Sequence, residues 1–370
     1  MNLINFNNEQ KLIQTEIRNF AAAELVPKAD EIEKKGVFPT DIIKKLSDLG
    51  VLSLTVPEKY GGAGLDATSL CTTAEELSKV CASVGTILVV NNCMVAFPIM
   101  KYAEESQKMY YLDKISRGEI GAYICDPEID LPEKKIGIKT SDDNCLISGN
   151  RDFVLNGEAA NFYVMPVLLS NGKAFYLLER GFAGITISKT EVLGVRSAGI
   201  VSLNFKETGL EDEFCFVVED NGEKALIEIR DYSNIGFSAV LIGIAQAALS
   251  DSIKYSKERK QFGRSICEFP MIQDMIAEMK VKIEAGRFLV YEAAAKYDNG
   301  LDYSLASRIA RFYCGEIAVF SGIKAVQIFG GYGYTKDYPV ERYLRDAKTL
   351  QLLEAVPYEL KLNIAKELLK

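Results

Sequence analysis

Apolar and polar positions recur along this chain with two different periods, and the changes of period mark out successive regions. After the polar stretch NNEQ, the residues Leu12, Ile13, Ile17, Phe20 and Ala21 recur at three- and four-residue steps, the spacing that lines one face of a helix. FPTDIIKKLSDLG predicts a second helix. Pro39 and Thr40 suit its first turn, Ile42, Ile43, Leu46 and Leu49 share a face, and Gly50 stands where a helix stops. VPEKYGGAGLD, opened by proline and rich in glycine, reads as a loop. SLCTTAEELSKVCASVGTIL and EESQKMYYLDKISRG read as further helices.

From about residue 119 the texture changes. CLISG, DFVLNG, NFYVMPVLLS, AFYLLE and GITISK are short, rich in aromatic and β-branched residues, and separated by Gly, Asn and Asp, which is the pattern of strands. After EFCFVVEDNGEKAL the helical period resumes and continues to the end. SAVLIGIAQAALSDSIKYSKERKQFG and MIQDMIAEMKVKIEAGRFLVYEAAAKY are too apolar on one face to stand alone, so they should pack as a bundle. The expected organisation is α+β, with a helical region over 1–118, a β-sheet region over 119–222 and a helical bundle over 223–370. No internal repeat and no low-complexity tract interrupts it.

At 370 residues, 48% of them apolar and 25% charged, the chain can bury a substantial core in two or three domains. A formal charge of −8 and a pI near 5.1 argue against a nucleic-acid surface. An acidic solute would therefore need a local basic patch. Histidine is absent, which removes Ser-His-Asp and Cys-His catalysis together with the commonest transition-metal ligand. Proton transfer is left to Glu, Asp, Lys, Tyr or Cys. The eight cysteines form no CxxC pair, which argues against zinc and dithiol chemistry and fits reduced thiols in a cytoplasmic protein. MNLINFNNEQ lacks a basic region followed by an apolar core, so no secretory signal is expected. The runs TILVV and AVLIGIAQAAL fall short of the about 18 residues of a membrane span and read as core segments, so no membrane partner is expected.

Three stretches carry candidate chemistry. SKERKQFGRS sets Arg259, Lys260 and Arg264 around Gln261, Phe262 and Gly263, a basic patch beside an aromatic ring in an acidic chain. It suits a phosphate near a stacked base, or else a solvated helix end whose cations complement the dipole. VQIFGGYGY packs Gly330, Gly331 and Gly333 among aromatic residues; either something approaches the backbone closely or the turn simply ends a helix. LQLLEAVPYEL holds a single carboxylate, Glu354, between Leu352 and Leu353 on one side and Ala355, Val356 and Pro357 on the other. Burial there would raise its proton affinity toward the range useful to a base, whereas a surface position would leave it an ordinary glutamate. Neither glycine-containing stretch is a phosphate-binding loop after a strand, which excludes a Rossmann or P-loop reading.

Together with GVLSLTVPEKYGGAGLD, LIGIAQAALSDSIKYSKERKQFG and QIFGGYGYTKDYPVERYLRDAK, taken in order over nearly the whole chain, these stretches resemble the acyl-CoA dehydrogenase family. The resemblance implies a helical N-terminal domain, a β-sheet middle domain and a C-terminal four-helix bundle, assembled as a tetramer with FAD at subunit interfaces. It implies that Arg259, Phe262, Gln327, Gly330 and Gly331 reach the FAD diphosphate and adenine half from a neighbouring subunit. Glu354 falls at the family's catalytic base, which takes the α-proton of an acyl thioester while the β-hydrogen leaves as hydride to flavin N5. Asp231 and Asn234 fall in the stretch associated with acyl-CoA binding, and an electron-transfer flavoprotein is the implied electron acceptor.

Departures from the family cluster around the flavin ring. Cys125 stands for a threonine and Asp126 for a glutamate, Phe153 for a tryptophan, and Leu155 for a threonine whose hydroxyl contacts the flavin near N5. Ala355 and Val356 replace a glycine-threonine pair, and Asn234 replaces an arginine found in many members. Two readings fit. One is an FAD enzyme with a more apolar ring pocket and an altered thioester substrate, carried on CoA or on a carrier protein. The other is a subunit of a hetero-oligomer that has lost its own flavin-ring site and completes a partner's.

Overall fold

A computed structural model describes residues 6–124, 137–141, 144–169, 172–217, 221–353 and 355–370. Helix α1 (Asn8–Phe20) starts at Asn7, whose side chain accepts from the Gln10 amide while Gln10 reaches back to the Asn7 amide, a reciprocal cap. Ile17 and Ala21 are buried, but Leu12, expected on the same face, is exposed. Helix α2 (Ala29–Lys35) and helix α3 (Thr40–Asp48) follow. Ile42, Ile43 and Leu46 are buried, whereas Leu49 is exposed. The reason is local: α3 ends at Asp48, and Gly50 at φ 74° turns the chain away before Leu49 can continue the helical face.

Helices α4 (Ala67–Ser78), α5 (Ala82–Val89), α6 (Phe97–Tyr102) and α7 (Glu105–Ser116) complete the first helical region. Every residue of α4 is buried, because it packs against both α1 and the long helix α8 (Asn221–Glu258). Among the described residues, Ala82–Tyr102, Asn221–Glu258 and Ser304–Tyr334 are long and apolar enough, by length and composition, to cross a membrane. This corrects the judgement from unbroken runs alone, which missed that helices join shorter runs into one apolar length. The apolar windows of the first two are almost wholly buried inside the protein, and that of the third just over half.

Strands β1 (Gly121–Tyr123), β4 (Phe162–Leu169), β5 (Gly172–Glu179) and β8 (Cys215–Val217) form one sheet in the order β1-β4-β5-β8, with β1 parallel to β4 and the other pairs antiparallel. Strands β2 (Gly137–Ser141), β3 (Asn144–Val154), β6 (Ile185–Lys189) and β7 (Val201–Leu210) form an antiparallel sheet in the order β2-β3-β7-β6. Ile147, Val154 and Leu203 from one sheet and Tyr163, Met165 and Leu178 from the other share a single apolar core. The register of β3 slips between Arg151 and Val154, so Phe153 sits on a bulge.

Helices α9 (Pro270–Asp298), α10 (Ser304–Phe329) and α11 (Val340–Leu352) pack with α8 as a bundle, and α12 (Pro357–Leu368) lies against α10. The bundle grips the β region through α11. Asp346 accepts from the Val195 amide at 2.6 Å, Thr349 accepts from the Gly194 amide at 2.8 Å, and Arg345 donates to the Leu193 carbonyl at 2.8 Å. Burial, reinforced by nearby Glu33, pushes the Asp346 carboxyl up to about 7 against the opposing pull of the Val195 N–H, Arg342 and Arg345. The folded protein thus keeps a proton that the unfolded chain has released between about pH 4 and 7, so stability falls as pH rises through that window. Asp346→Asn retains an acceptor for Val195 and removes the charge. Its melting temperature is expected to vary less between pH 5 and 7.5 than that of the wild type, whose own value should fall by a few °C relative to the variant.

Candidate functional site

Helix α8 ends at Glu258 and runs into a two-residue hairpin in which Gln261 pairs with Arg264 across Phe262 and Gly263. Both loop residues take positive φ, 52° and 81°, as such a tight turn requires. For glycine this is easy; for phenylalanine it is strained. The strained ring is also 93% exposed, its nearest ring being Phe269 at 6.3 Å edge to face. A bulky residue held in a costly conformation with its ring in solvent gains little inside its own chain, which points to a contact made with another molecule.

Facing the hairpin, α10 stops at Phe329 and the chain turns through Gly330 at φ 61°. A Cβ built at Gly330 or Gly331 meets nothing within 4 Å, so their backbone is open to approach rather than tightly packed. Arg259, Phe262, Gln327, Gly330 and Gly331 line one groove of about 720 Å³, with Tyr255, Phe269 and Phe329 among its apolar walls. Arg259 lies 5.8 Å from the Tyr332 ring centroid, whereas Arg264 is stacked on Phe269 at 4.2 Å. The groove offers a guanidinium, an amide side chain and a sterically open glycine backbone beside aromatic surface. That donor set fits the diphosphate and a flat ring of FAD.

Phe153 and Leu155 lie in the β region and line neither this groove nor the smaller pocket described next. Phe153 is the second strained phenylalanine, at φ 59° and half-exposed on its bulge. Leu155 is buried and exchanges backbone hydrogen bonds with Tyr123. Cys125 and Asp126 lie outside the described residues.

Helix α11 ends at Leu352, Leu353 caps it, and Pro357 opens α12 two residues after the buried Ala355. Glu354 itself lies outside the described residues. The apolar fence expected around it is incomplete: Leu352 is half-exposed, because Leu350 and Gln351 are the residues that α11 turns inward. Ala355 and Val356 line a pocket of about 70 Å³ with Arg230, Asp231 and Asn234 of α8, Arg308 of α10 and Glu359 of α12. Asp231, 2% exposed, spends both oxygens on Arg308, accepting from Nε at 2.8 Å and Nη2 at 2.7 Å. Burial raises the Asp231 carboxyl above its ordinary range, and Arg308 partly restores it. Asn234 is buried beside this pair.

Arg308 was missed by reading the sequence, and so was Arg311, whose Nη2 donates to the Leu350 and Leu353 carbonyls at 2.5 and 2.9 Å. A signal was present: in SLASRIARF two arginines three apart interrupt an otherwise apolar helix.

Residues 7–119 match the model of the acyl-CoA dehydrogenase N-terminal domain, and residues 221–367 that of the C-terminal domain. The short-chain-specific acyl-CoA dehydrogenase of Clostridium acetobutylicum is 36% identical over 99% of both chains. The butyryl-CoA dehydrogenase structure from Megasphaera elsdenii superposes with a TM-score of 0.94 at 32% identity, covering 99% of this chain and 100% of that one. A chain from a structure described as the electron transferring flavoprotein of Acidaminococcus fermentans also gives 0.94, at 35% identity and 99% coverage of both.

Proposed function

This chain belongs to the acyl-CoA dehydrogenase family, FAD-dependent oxidoreductases that act on CH–CH groups, and from that premise we propose that Glu354 is the base that removes the α-proton of its acyl thioester. The observation that carries the assignment is the turn between α11 and α12. Glu354 is the one carboxylate in LEAVP, and the two residues after it line the pocket beside the Asp231–Arg308 pair. The thioester carbonyl acidifies the α-carbon, and a carboxyl in apolar surroundings has a proton affinity raised toward the working pH. Bound FAD supplies the acceptor for the β-hydrogen, which leaves as hydride.

The other residues bind and orient. Arg259, Gln327 and the open backbone at Gly330 and Gly331 would hold the FAD diphosphate, with Phe262 against its adenine half. Their exposure on the single chain supports a site completed between subunits, in a homotetramer or with a related chain. Phe153 and Leu155 belong to the ring side, as does Cys125 by its sequence position. Asn234 and the Asp231–Arg308 pair flank the route of the thioester carrier, CoA or a carrier protein. The names of the relatives favour a short acyl chain and an electron-transfer flavoprotein as acceptor. The buried thiols Cys71, Cys81, Cys93 and Cys314 suit a reducing cytoplasm.

Purified protein is expected to show a flavin spectrum near one FAD per chain and to bleach when a short acyl-CoA is added. Colourless protein that cannot be reconstituted would instead favour the subunit that completes a partner's site. Arg259→Ala removes a charge-assisted hydrogen bond and should weaken FAD retention by about 10- to 100-fold, measured by fluorescence titration of the apoprotein. An unchanged affinity would remove Arg259 from the cofactor site.

A further inference from the structure

The pocket of about 70 Å³ between α8, α10 and α12 has polar walls that are not all spent. Asn234 is 6% exposed; the Ser238 hydroxyl donates to its backbone carbonyl, but its side-chain amide makes no hydrogen bond among the described residues. Arg308 is half spent. A guanidinium carries five N–H donors, and the two bonds to Asp231 take its Nε edge, so the Nη1 amino group has no partner among the described residues. A side-chain amide buried without a partner costs free energy, which marks a place where something else bonds. The pocket has room for about two waters, or for one amide-sized group in their place.

The charges around the pocket choose between ligands. Arg230 and Arg308 on its walls are balanced by Asp231 and Glu359, and Asp302 and Glu367 act on Arg308 from nearby. A phosphate or carboxylate therefore meets no excess of positive charge. A neutral group that both accepts and donates suits the unspent atoms better. A trans amide points its C=O and N–H in opposite directions, and the two free groups come from different helices, Arg308 from α10 and Asn234 from α8. Ile227, Ala355, Val356 and Leu360 offer apolar contact to the methylenes on either side of it.

We propose that this pocket is a subsite for the amide nearest the sulfur of a pantetheine arm, whose carbonyl accepts from Arg308 Nη1 and whose N–H donates to Asn234 Oδ1. That arm is common to CoA and to acyl carrier proteins. The inference rests on the thioester reacting beside the turn after α11, to which the pocket walls Ala355 and Val356 belong. The arm places its first amide a short methylene link from the sulfur, so a thioester at that turn presents it to the pocket.

The test uses FAD-loaded wild type, Asn234→Leu and Arg308→Lys. The substrate is butyryl-CoA or the butyryl thioester of an acyl carrier protein, whichever bleaches the flavin faster, and that choice identifies the source of the arm. Bleaching by neither removes the dehydrogenase reading itself, and the subsite with it. Two truncated thioesters then compete with the substrate: S-butyryl-N-acetylcysteamine, which keeps the amide, and S-butyryl-2-mercaptoethyl acetate, in which an ester oxygen replaces the N–H. Each is read as an inhibition constant, so neither has to be turned over. Wild type should bind the amide about tenfold more tightly than the ester. In Asn234→Leu that ratio should fall to about twofold or less, because the acceptor for the N–H is gone. A general disturbance of the pocket would instead weaken amide and ester alike and keep their ratio. Arg308→Lys keeps a cation for Asp231 but loses the planar Nη1 edge, and should weaken both competitors about fivefold, since each presents a carbonyl. No preference for the amide in wild type, or an undiminished one in Asn234→Leu, overturns the proposal and leaves the pocket to water. Unchanged affinities in Arg308→Lys overturn it as well. Should Asn234→Leu fail to fold, the wild-type ratio and Arg308→Lys decide by the same criteria.

Discussion

Glu354→Gln is expected to bind FAD and acyl-CoA normally and to lose about 10²- to 10⁴-fold in the rate at which substrate bleaches the flavin, the range that a positioned general base contributes. The substitution is nearly isosteric, so the turn between Leu353 and Ala355 should keep its backbone and the Arg311 bridge its two carbonyls. What changes is the acceptor: an amide cannot take the α-proton at any working pH. Rapid-mixing absorbance at the flavin band, with binding of a non-oxidisable acyl-CoA analogue as control, reads the two effects separately. Bleaching at the wild-type rate would mean that another carboxylate is the base. Among residues lining the adjoining pocket, Glu359 on the first turn of α12 is the alternative to test next.

The second large effect concerns stability. Arg308→Ala leaves Asp231 buried without its cation, and breaking a buried pair from one side costs about 3–5 kcal/mol. The lower end applies here, since the Arg308 side chain keeps 15% of its exposure and water can reach part of the site. The sign of the pH dependence follows. Without Arg308, burial acts on Asp231 against little more than the Ser304 hydroxyl and raises its proton affinity further. The folded variant then holds a proton that the unfolded chain releases above about pH 4, so its deficit grows as pH rises. Urea melts at pH 5.5 and 8 should show the larger loss at pH 8. The double variant Asp231→Asn/Arg308→Met removes both charges together and should recover much of the loss. Strict additivity of the two single changes would mean that the pair contributes nothing beyond its parts.

Much of the fold was legible because its signals are local. The polar NNEQ start that becomes the Asn7–Gln10 cap, the stop at Gly50 and the change from helical periodicity to short aromatic and β-branched segments near residue 119 each arise from neighbours a few positions apart. The errors were local too. Leu12, Leu49 and Leu352 fit an apolar pattern by composition, yet each faces solvent, because which side of a helix is buried depends on what packs against it. Apolar run length understated the apolar length of Ala82–Tyr102 and Asn221–Glu258, but its reading of them as core segments held, since their hydrophobic windows are covered by the rest of the chain.

For the candidate site the division is sharper. Sequence alone singled out the basic patch around Phe262, the glycine turn at Gly330 and the lone carboxylate at Glu354 as candidates, since their residue types and spacing suit that chemistry. It could not show that Arg259, Gln327 and Gly331 share one groove, nor that Phe262 and Phe153 are both strained and exposed. It gave no partner to Asp231 either, because the arginine that pairs with it lies 77 positions away on another helix. The Arg311 bridge closes over 42 positions in the same way. Periodicity and capping operate within one or two helical turns, so they determined the elements and the order of the motifs. Pairing a buried carboxylate with a guanidinium, and a helix end with a cation, requires that α8, α10 and α11 already lie side by side; only tertiary packing decides that.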